Sequence, residues 1–216
     1  MEASDKSKWV QIGNRWIPRT ALKDGMSTNG PLDETPLYRP GLLKEIDFSE
    51  AQAKFKGSIS PSNPGENLVM RPLCAADYDK GFMEVLKQLT KCGDTPREKF
   101  LARYNQMKSC PNTYFVTVIE DISKSKIIAT GTVVLEQKFI RGCAERSRIE
   151  DLVVDDEYRG LQLGKLMFQT LLLLSQHLGV YKCSLECLPE NIAFYENLDF
   201  KVDPQSFMQY RFKELS

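Results

Sequence analysis

Ile149-Glu150-Asp151-Leu152-Val153-Val154-Asp155-Asp156-Glu157-Tyr158-Arg159-Gly160-Leu161-Gln162-Leu163-Gly164-Lys165 runs from an apolar-alternating segment through a glycine-containing turn into a long leucine-rich segment. It reads as a strand, a turn and a helix N-terminus. The first backbone N–H groups of a helix have no intrahelical partner and the dipole there is positive. An anion such as a pyrophosphate therefore fits where glycines keep side chains away. The competing reading is an ordinary strand-to-helix turn whose glycines serve packing.

Spacing separates the known phosphate loops. A Walker-type loop has four residues between its glycines and Ser or Thr after its lysine, whereas three residues separate Gly160 from Gly164 and Leu166 follows Lys165. The dinucleotide fingerprint needs three glycines, and the segment holds two. The R/Q-x-x-G-x-G/A loop of the GNAT superfamily remains. Arg159-x-x-Gln162-x-Gly164 resembles it, with glutamine where the superfamily usually has glycine.

Composition narrows the classes. At 216 residues the chain fits one domain plus an extension. Its formal net charge of zero and pI near 6.6 argue against nucleic-acid binding, which calls for a clustered basic face. Cys74, Cys92, Cys110, Cys143, Cys183 and Cys187 form no C-x-x-C pair, and His177 is the one histidine. No metal is expected, and the thiols read as free groups in a reducing compartment. Neither a secretory signal nor a segment long enough to span a bilayer is visible, so a cytoplasmic location is expected.

Residues 1–72 hold seven of the eleven prolines and six of the thirteen glycines. That shift predicts an irregular or partly disordered arm over residues 1–66 and a folded domain over 67–216. Trp9 and Trp16 mark either a docking segment or a loosely ordered tail. Within the domain, Phe82, Val85, Leu86 and Leu89 follow helical spacing, as do Phe100, Leu101, Tyr104 and Met107. Thr95-Pro96-Arg97-Glu98 predicts a capped start for the second helix. Strands are expected at Thr113–Glu120, Ile127–Glu136, Ser147–Val154, Tyr181–Leu188 and Phe207–Phe212. A buried helix is expected over Leu163–Leu178, ended by Gly179 in a left-handed cap, and a short one over Pro189–Leu198. The order predicts an α/β (α+β) fold, a mixed sheet with helices on both faces.

A second motif lies downstream. Leu185-Glu186-Cys187-Leu188-Pro189-Glu190-Asn191-Ile192-Ala193-Phe194-Tyr195-Glu196-Asn197-Leu198-Asp199-Phe200 matches the superfamily's acceptor-side pattern N-x-x-A/x-F-Y-x-x-x-G-F at Asn191, Phe194, Tyr195 and Phe200. Asp199 stands at the glycine, a left-handed helix end that aspartate tolerates. Ile149–Val154, Gln162–Leu166, Tyr181-Lys182 leading into Leu185–Pro189, Lys138-Phe139-Ile140 and Met208–Phe212 sharpen the match. Over roughly Leu32 to Phe212 the chain resembles the animal-type glucosamine 6-phosphate N-acetyltransferases. The resemblance implies the GNAT fold with a mostly antiparallel sheet. It also implies transfer of acetyl from acetyl-CoA to the amine of D-glucosamine 6-phosphate, a step towards UDP-N-acetylglucosamine. A homodimer sharing its C-terminal strands is implied too. Alternatives are transfer to another small or protein amine, or an inactive CoA-binding module. Loose association with internal membranes stays open.

Acetyl transfer needs a CoA site, a neutral amine, oxyanion stabilisation and a donor for the departing thiolate. Backbone amides of Arg159, Gly160, Leu161, Gln162, Leu163, Gly164 and Lys165 are expected at the pyrophosphate. Leu152, Val153 and Val154 are expected along the pantetheine, with Asn191 and Tyr195 completing the cofactor site. Tyr195 is the expected thiolate partner. A phenol near pKa ~10 and a thiol near ~8.5 differ by about 1.5 units, so full proton transfer costs roughly 2 kcal/mol, and a strong hydrogen bond serves as well. A sugar amine comparable to an α-amino group near ~7.7–8.0 is partly neutral already, so a weak acceptor suffices as base. Glu186 and Glu150 are the candidates. For the sugar phosphate, the resemblance implies Thr90, Lys138, Phe139, Ile140, Arg141, Glu150, Asp151, Tyr181, Lys182 and Arg211, with Arg141 where relatives often have histidine. A single histidine in the leucine-rich helix makes His-assisted covalent catalysis improbable, so direct transfer in a ternary complex is expected.

Overall fold

The computed structural model describes residues 33–212 and, in backbone only, Trp9–Ile12 (β1) and Arg15–Pro18 (β2). These two form an antiparallel hairpin. The docking role considered for Trp9 and Trp16 concerns side chains outside the described residues.

The main sheet has five strands in the order β3 (Leu68–Pro72), β4 (Tyr114–Asp121), β5 (Lys126–Gln137), β6 (Glu145–Val154) and β7 (Cys183–Ser184). β3 to β6 form an antiparallel meander, and β7 joins β6 in parallel. β4 and β5 are buried almost throughout because both of their faces are covered. On one face α5 (Leu163–His177) packs Leu163, Leu166, Met167, Phe168, Leu171 and Leu174 against Phe115, Ile119, Ile128 and Val133. On the other, α2 (Phe82–Lys87) and α3 (Arg97–Lys108) pack Phe82, Val85, Phe100, Leu101 and Tyr104 against Val116, Val118 and Ile127. The predicted mixed, mostly antiparallel sheet between helices is the observed architecture. Among the described residues, no helix is long and apolar enough to cross a membrane.

The expected boundary near residue 66 marks a change in regularity rather than a break in packing. α1 (Gly41–Glu45) is the one α-helix of residues 33–66. Yet Leu43, Ile46 and Ala53 are buried in the α5 core, Leu37 lies in the other, and Leu37 N–H donates to the Leu73 carbonyl at 2.7 Å. Apolar side chains at irregular intervals carry no period, so the sequence did not disclose that this segment is load on the same core.

Three local readings are corrected. The strand expected over Tyr181–Leu188 is reduced to Cys183–Ser184. β6 carries a bulge, Glu150 pairing with Thr132 and Val153 with Thr130, so Asp151 and Leu152 together face one residue, Gly131. Such a bulge bends its strand, and β6 leaves β7 just after the Arg148–Ser184 pair. Phe207–Phe212 forms no strand, since an edge of two residues offers little to pair with, and Phe207, Met208, Tyr210 and Phe212 are exposed. The α3 N-cap is Pro96 with no side-chain cap, while Thr95 Oγ1 donates to the Cys92 carbonyl. Gly179 ends α5 at φ +78° as predicted, and Asp199 adopts φ +61°.

Candidate active site

Two cavities lie at the ends of the bulged stretch of β6. The first, about 390 Å³, is bounded by Val154, Tyr158, Arg159, Gln162, Leu163 and Gly164. The first α5 bond shown from the cap runs from Leu166 N–H to Gln162 carbonyl at 2.9 Å. By helix geometry, the amides of Leu163, Gly164 and Lys165 therefore point out of the helix end. Gly160 sits at φ +80°, which calls for glycine. A Cβ on Gly164 would touch only Val154 Cγ2 at 3.6 Å, an ordinary contact. Packing therefore does not require glycine at 164, and the residue leaves the backbone open to the cavity. Tyr158 is anchored beneath the loop, its hydroxyl donating to Asp121 Oδ2 at 2.6 Å. Arg159 pairs with Asp156 on the surface, and Leu161 is exposed outside the cavity lining.

The second cavity, about 530 Å³, opens where β6 and β7 part. Arg148, Lys182, Glu186, Cys187 and Tyr195 line it. Tyr195 is carried by α6 (Ile192–Glu196) and packs edge-on against Phe168 of α5 with ring centroids 5.2 Å apart. Burial pushes its hydroxyl above the ordinary phenol range, and the nearby Cys187 adds to the rise. Glu150 and Glu186, the two carboxylate candidates, share one cation: Arg148 Nε lies 2.6 Å from Glu150 Oε1, and its Nη2 pairs with Glu186. Sequence reasoning missed Arg148. Its place two residues before Glu150 on one strand puts both on one face, which is the signal that would have found it.

Asp151 holds φ +52° in the bulge, an uncommon conformation for a side-chain-bearing residue and a mark of strain stored at a site. Burial raises its carboxyl pKa. Leu152 is half-buried, Val153 buried and Val154 shared with the loop cavity. Asn191 precedes α6 without lining either cavity.

The sugar-phosphate set is dispersed. Of its members Lys182 alone lines the second cavity. Lys138 Nζ is 2.7 Å from Glu136. Phe139 and Ile140 are exposed on α4 (Ile140–Cys143), a turn with Arg141 in the left-handed region. The Arg141 guanidinium stacks 5.1 Å from the Tyr181 ring. Thr90 follows α2, and Arg211 lies on the exposed C-terminal segment. Within one chain these residues do not converge.

Comparison with known proteins gives this geometry its lineage. The acetyltransferase (GNAT) family model matches residues 82–200. The chain is 50% identical over 173 residues to a probable glucosamine 6-phosphate N-acetyltransferase of Drosophila melanogaster, covering 80% of this chain and 78% of that protein. It is 41% identical over 131 residues to glucosamine 6-phosphate N-acetyltransferase of Arabidopsis thaliana, covering 61% of this chain and 88% of the relative. A crystal structure of the Arabidopsis enzyme aligns with a TM-score of 0.63 at 38% identity, over 68% of this chain and 99% of that one. Motif, fold and relatives agree, and the chain belongs to the GNAT acetyltransferases and, within them, to the glucosamine 6-phosphate N-acetyltransferase family.

Proposed function

We propose that this chain transfers acetyl from acetyl-CoA directly to the amine of D-glucosamine 6-phosphate. The product, N-acetyl-D-glucosamine 6-phosphate, would serve UDP-N-acetylglucosamine synthesis. One arrangement carries the reading: β6 leads from a helix-end cavity at Val154 to a cleft lined by Tyr195, Glu186 and Arg148, with Glu150 tied to its edge through Arg148. Six residues of strand span about 20 Å, a reach suited to an extended pantetheine arm.

In this reading the amides of Arg159 to Lys165 hold the pyrophosphate. The edge of β6 freed by its departure from β7 pairs with the pantetheine through Leu152 to Val154. An amide in the Asp151–Leu152 bulge is turned to the thioester oxygen, where it stabilises the oxyanion. The sugar amine attacks the thioester carbon, the C–N bond forms, and the C–S bond breaks as the tetrahedral centre collapses. Glu186 accepts the amine proton, and Glu150 orders the sugar. Tyr195 donates a hydrogen bond to the departing thiolate. Its burial-raised pKa widens the gap to a thiol beyond the ~2 kcal/mol of the free groups, so it acts as a donor that keeps its proton.

The dispersed phosphate residues and the exposed Phe207, Met208, Tyr210 and Phe212 fit a homodimer. In it the C-terminal segments cross, and Arg211 and Lys138 to Arg141 serve a site at the interface. Both substrates suit a cytoplasmic location, with loose attachment to internal membranes compatible with it. CoA thiol release measured in parallel with glucosamine 6-phosphate, glucosamine and a lysine peptide tests the reading. Release with the sugar phosphate well above the other two is expected. Release with the peptide would redirect the acceptor, and none with any amine would leave a CoA-binding module.

A further inference from the structure

Gln162 occupies the N-cap of α5 at φ +65°, a conformation that favours glycine. Both polar atoms of its side chain are engaged. Oε1 accepts from Lys56 N–H at 2.9 Å and Nε2 donates to the Lys56 carbonyl at 3.2 Å, a two-bond clasp on one backbone residue. The pattern continues along the helix. Lys165 Nζ donates to the Lys54 carbonyl at 3.2 Å and lies 5.8 Å from the Phe55 ring. Gln169 Oε1, fully buried, accepts from Gln52 N–H at 2.9 Å.

Two segments interlock here. Residues 162, 165 and 169 fall on one stripe of a helix, and 52, 54 and 56 meet them in turn along an irregular strap. The strap therefore runs antiparallel to α5 and ends at the loop whose amides face the first cavity. It brings the backbone of Lys54 to Lys165 and that of Lys56 to Gln162, at the end of the helix.

We propose that Gln162 is a positioning residue for acetyl-CoA. Its clasp holds the 52–56 strap against the pyrophosphate loop, keeping the loop preformed and placing the Lys54 and Lys56 charges alongside the CoA phosphates. The inference rests on the assignment of that loop to CoA under the proposed function. It also accounts for glutamine at a position where an isolated loop would do better with glycine: the strap makes the side chain useful.

The test uses the full chain and the variant Gln162→Gly, which removes the clasp while accepting the left-handed backbone without strain. Losing two hydrogen bonds and the placement of two cations is expected to raise the KM for acetyl-CoA about tenfold. The loss should fall on that KM rather than on kcat or the KM for the sugar phosphate. The affinity for CoA should also depend less on salt, because the strap lysines no longer sit near the phosphates. Lys54→Gln/Lys56→Gln should reproduce most of the affinity loss and add little on top of Gln162→Gly. Wild-type CoA affinity in Gln162→Gly, strictly additive losses, or a lowered Tm with unchanged CoA affinity would each overturn the inference while leaving acetyl transfer intact. A wild-type chain that binds no CoA would instead sink the functional reading beneath it.

Discussion

Arg148 and Glu150, two residues apart on β6, form an ion pair at 2.6 Å, and the same guanidinium reaches across the opening between β6 and β7 to Glu186. A single cation thus sets the separation of Glu186, which lines the cleft, from Glu150 beside it. Removing it leaves like charges facing each other and an unguided Glu186. Arg148→Ala is expected to lower kcat/KM for the sugar phosphate by about 10- to 100-fold, the range of a charged hydrogen bond. Arg148→Lys, which lacks the fork geometry, should restore only part of it. Steady-state kinetics with each variant decides this, and activity equal to wild type in Arg148→Ala would remove the residue from the site.

Glu186→Gln probes the proton acceptor. If Glu186 takes the amine proton, the acidic limb of the kcat/KM profile should disappear in the variant. A retained limb would move the role to water or to Glu150.

Tyr195 packs on Phe168 and has its pKa raised by burial. Tyr195→Phe preserves the ring contact and deletes the donor, so kcat should fall by about 100-fold with the KM for acetyl-CoA nearly unchanged. The raised pKa also fixes a sign. The neutral donor form persists to higher pH than for a free phenol at ~10, so wild-type kcat should show no decline from this group below pH ~10.

Asp121 links acid stability to the turn that carries Tyr158. Hydrogen bonds from the Ser123 side chain and from the Tyr158 hydroxyl, with backbone amides adding, bring its pKa down to about 2. The unfolded value is ~3.9, so between these two pH values the unfolded chain binds the extra proton. The contribution is therefore complete above pH ~4 and is lost as pH falls towards 2. Asp121→Asn should be less stable than wild type at pH 7 and show a shallower decline between pH 4 and 2 in denaturant titrations. Parallel curves for the two proteins would contradict it.

A buried ion cluster ties β3 to β4. Arg71 binds Asp77 at 2.6 Å and Glu120 at 2.5 Å, Lys80 binds Glu120 at 2.8 Å, and Asp77 also accepts from Cys74 N–H at 2.8 Å. Burial alone would push Glu120 up, and the hydrogen bonds from Lys80 and Arg71 outweigh it to leave the pKa lowered. Asp77→Ala leaves Arg71 with Glu120 as its remaining carboxylate and the buried Cys74 N–H without its acceptor, so a loss of about 2–3 kcal/mol is expected in equilibrium unfolding. A change below about 1 kcal/mol would show the cluster to be solvated rather than structural.

What the sequence by itself determined is what local rules govern. Two strand-forming runs around a turn marked β4 and β5, alternation marked β6, helical spacing marked α2 and α3, a long leucine-rich run marked α5, and glycine spacing marked the loop from Arg159 to Gly164, because each depends on neighbours a few residues away. The aromatic pair Phe194-Tyr195 and the glutamates were legible as residue types in a motif. Only the tertiary structure decided what long-range partners impose. The bulge at Asp151–Leu152 exists because two residues face Gly131 across the sheet. The cleft exists because the bent strand then leaves β7, which cuts the expected Tyr181–Leu188 strand to two residues. Arg148 joins the two carboxylates only because the chain beyond β7 brings Glu186 within reach, and Gln162 ceased to be a mere departure from a glycine pattern only when a strap 106 residues earlier closed against it. Pairing across such distances leaves no period in the chain, so nothing short of the folded arrangement displays it.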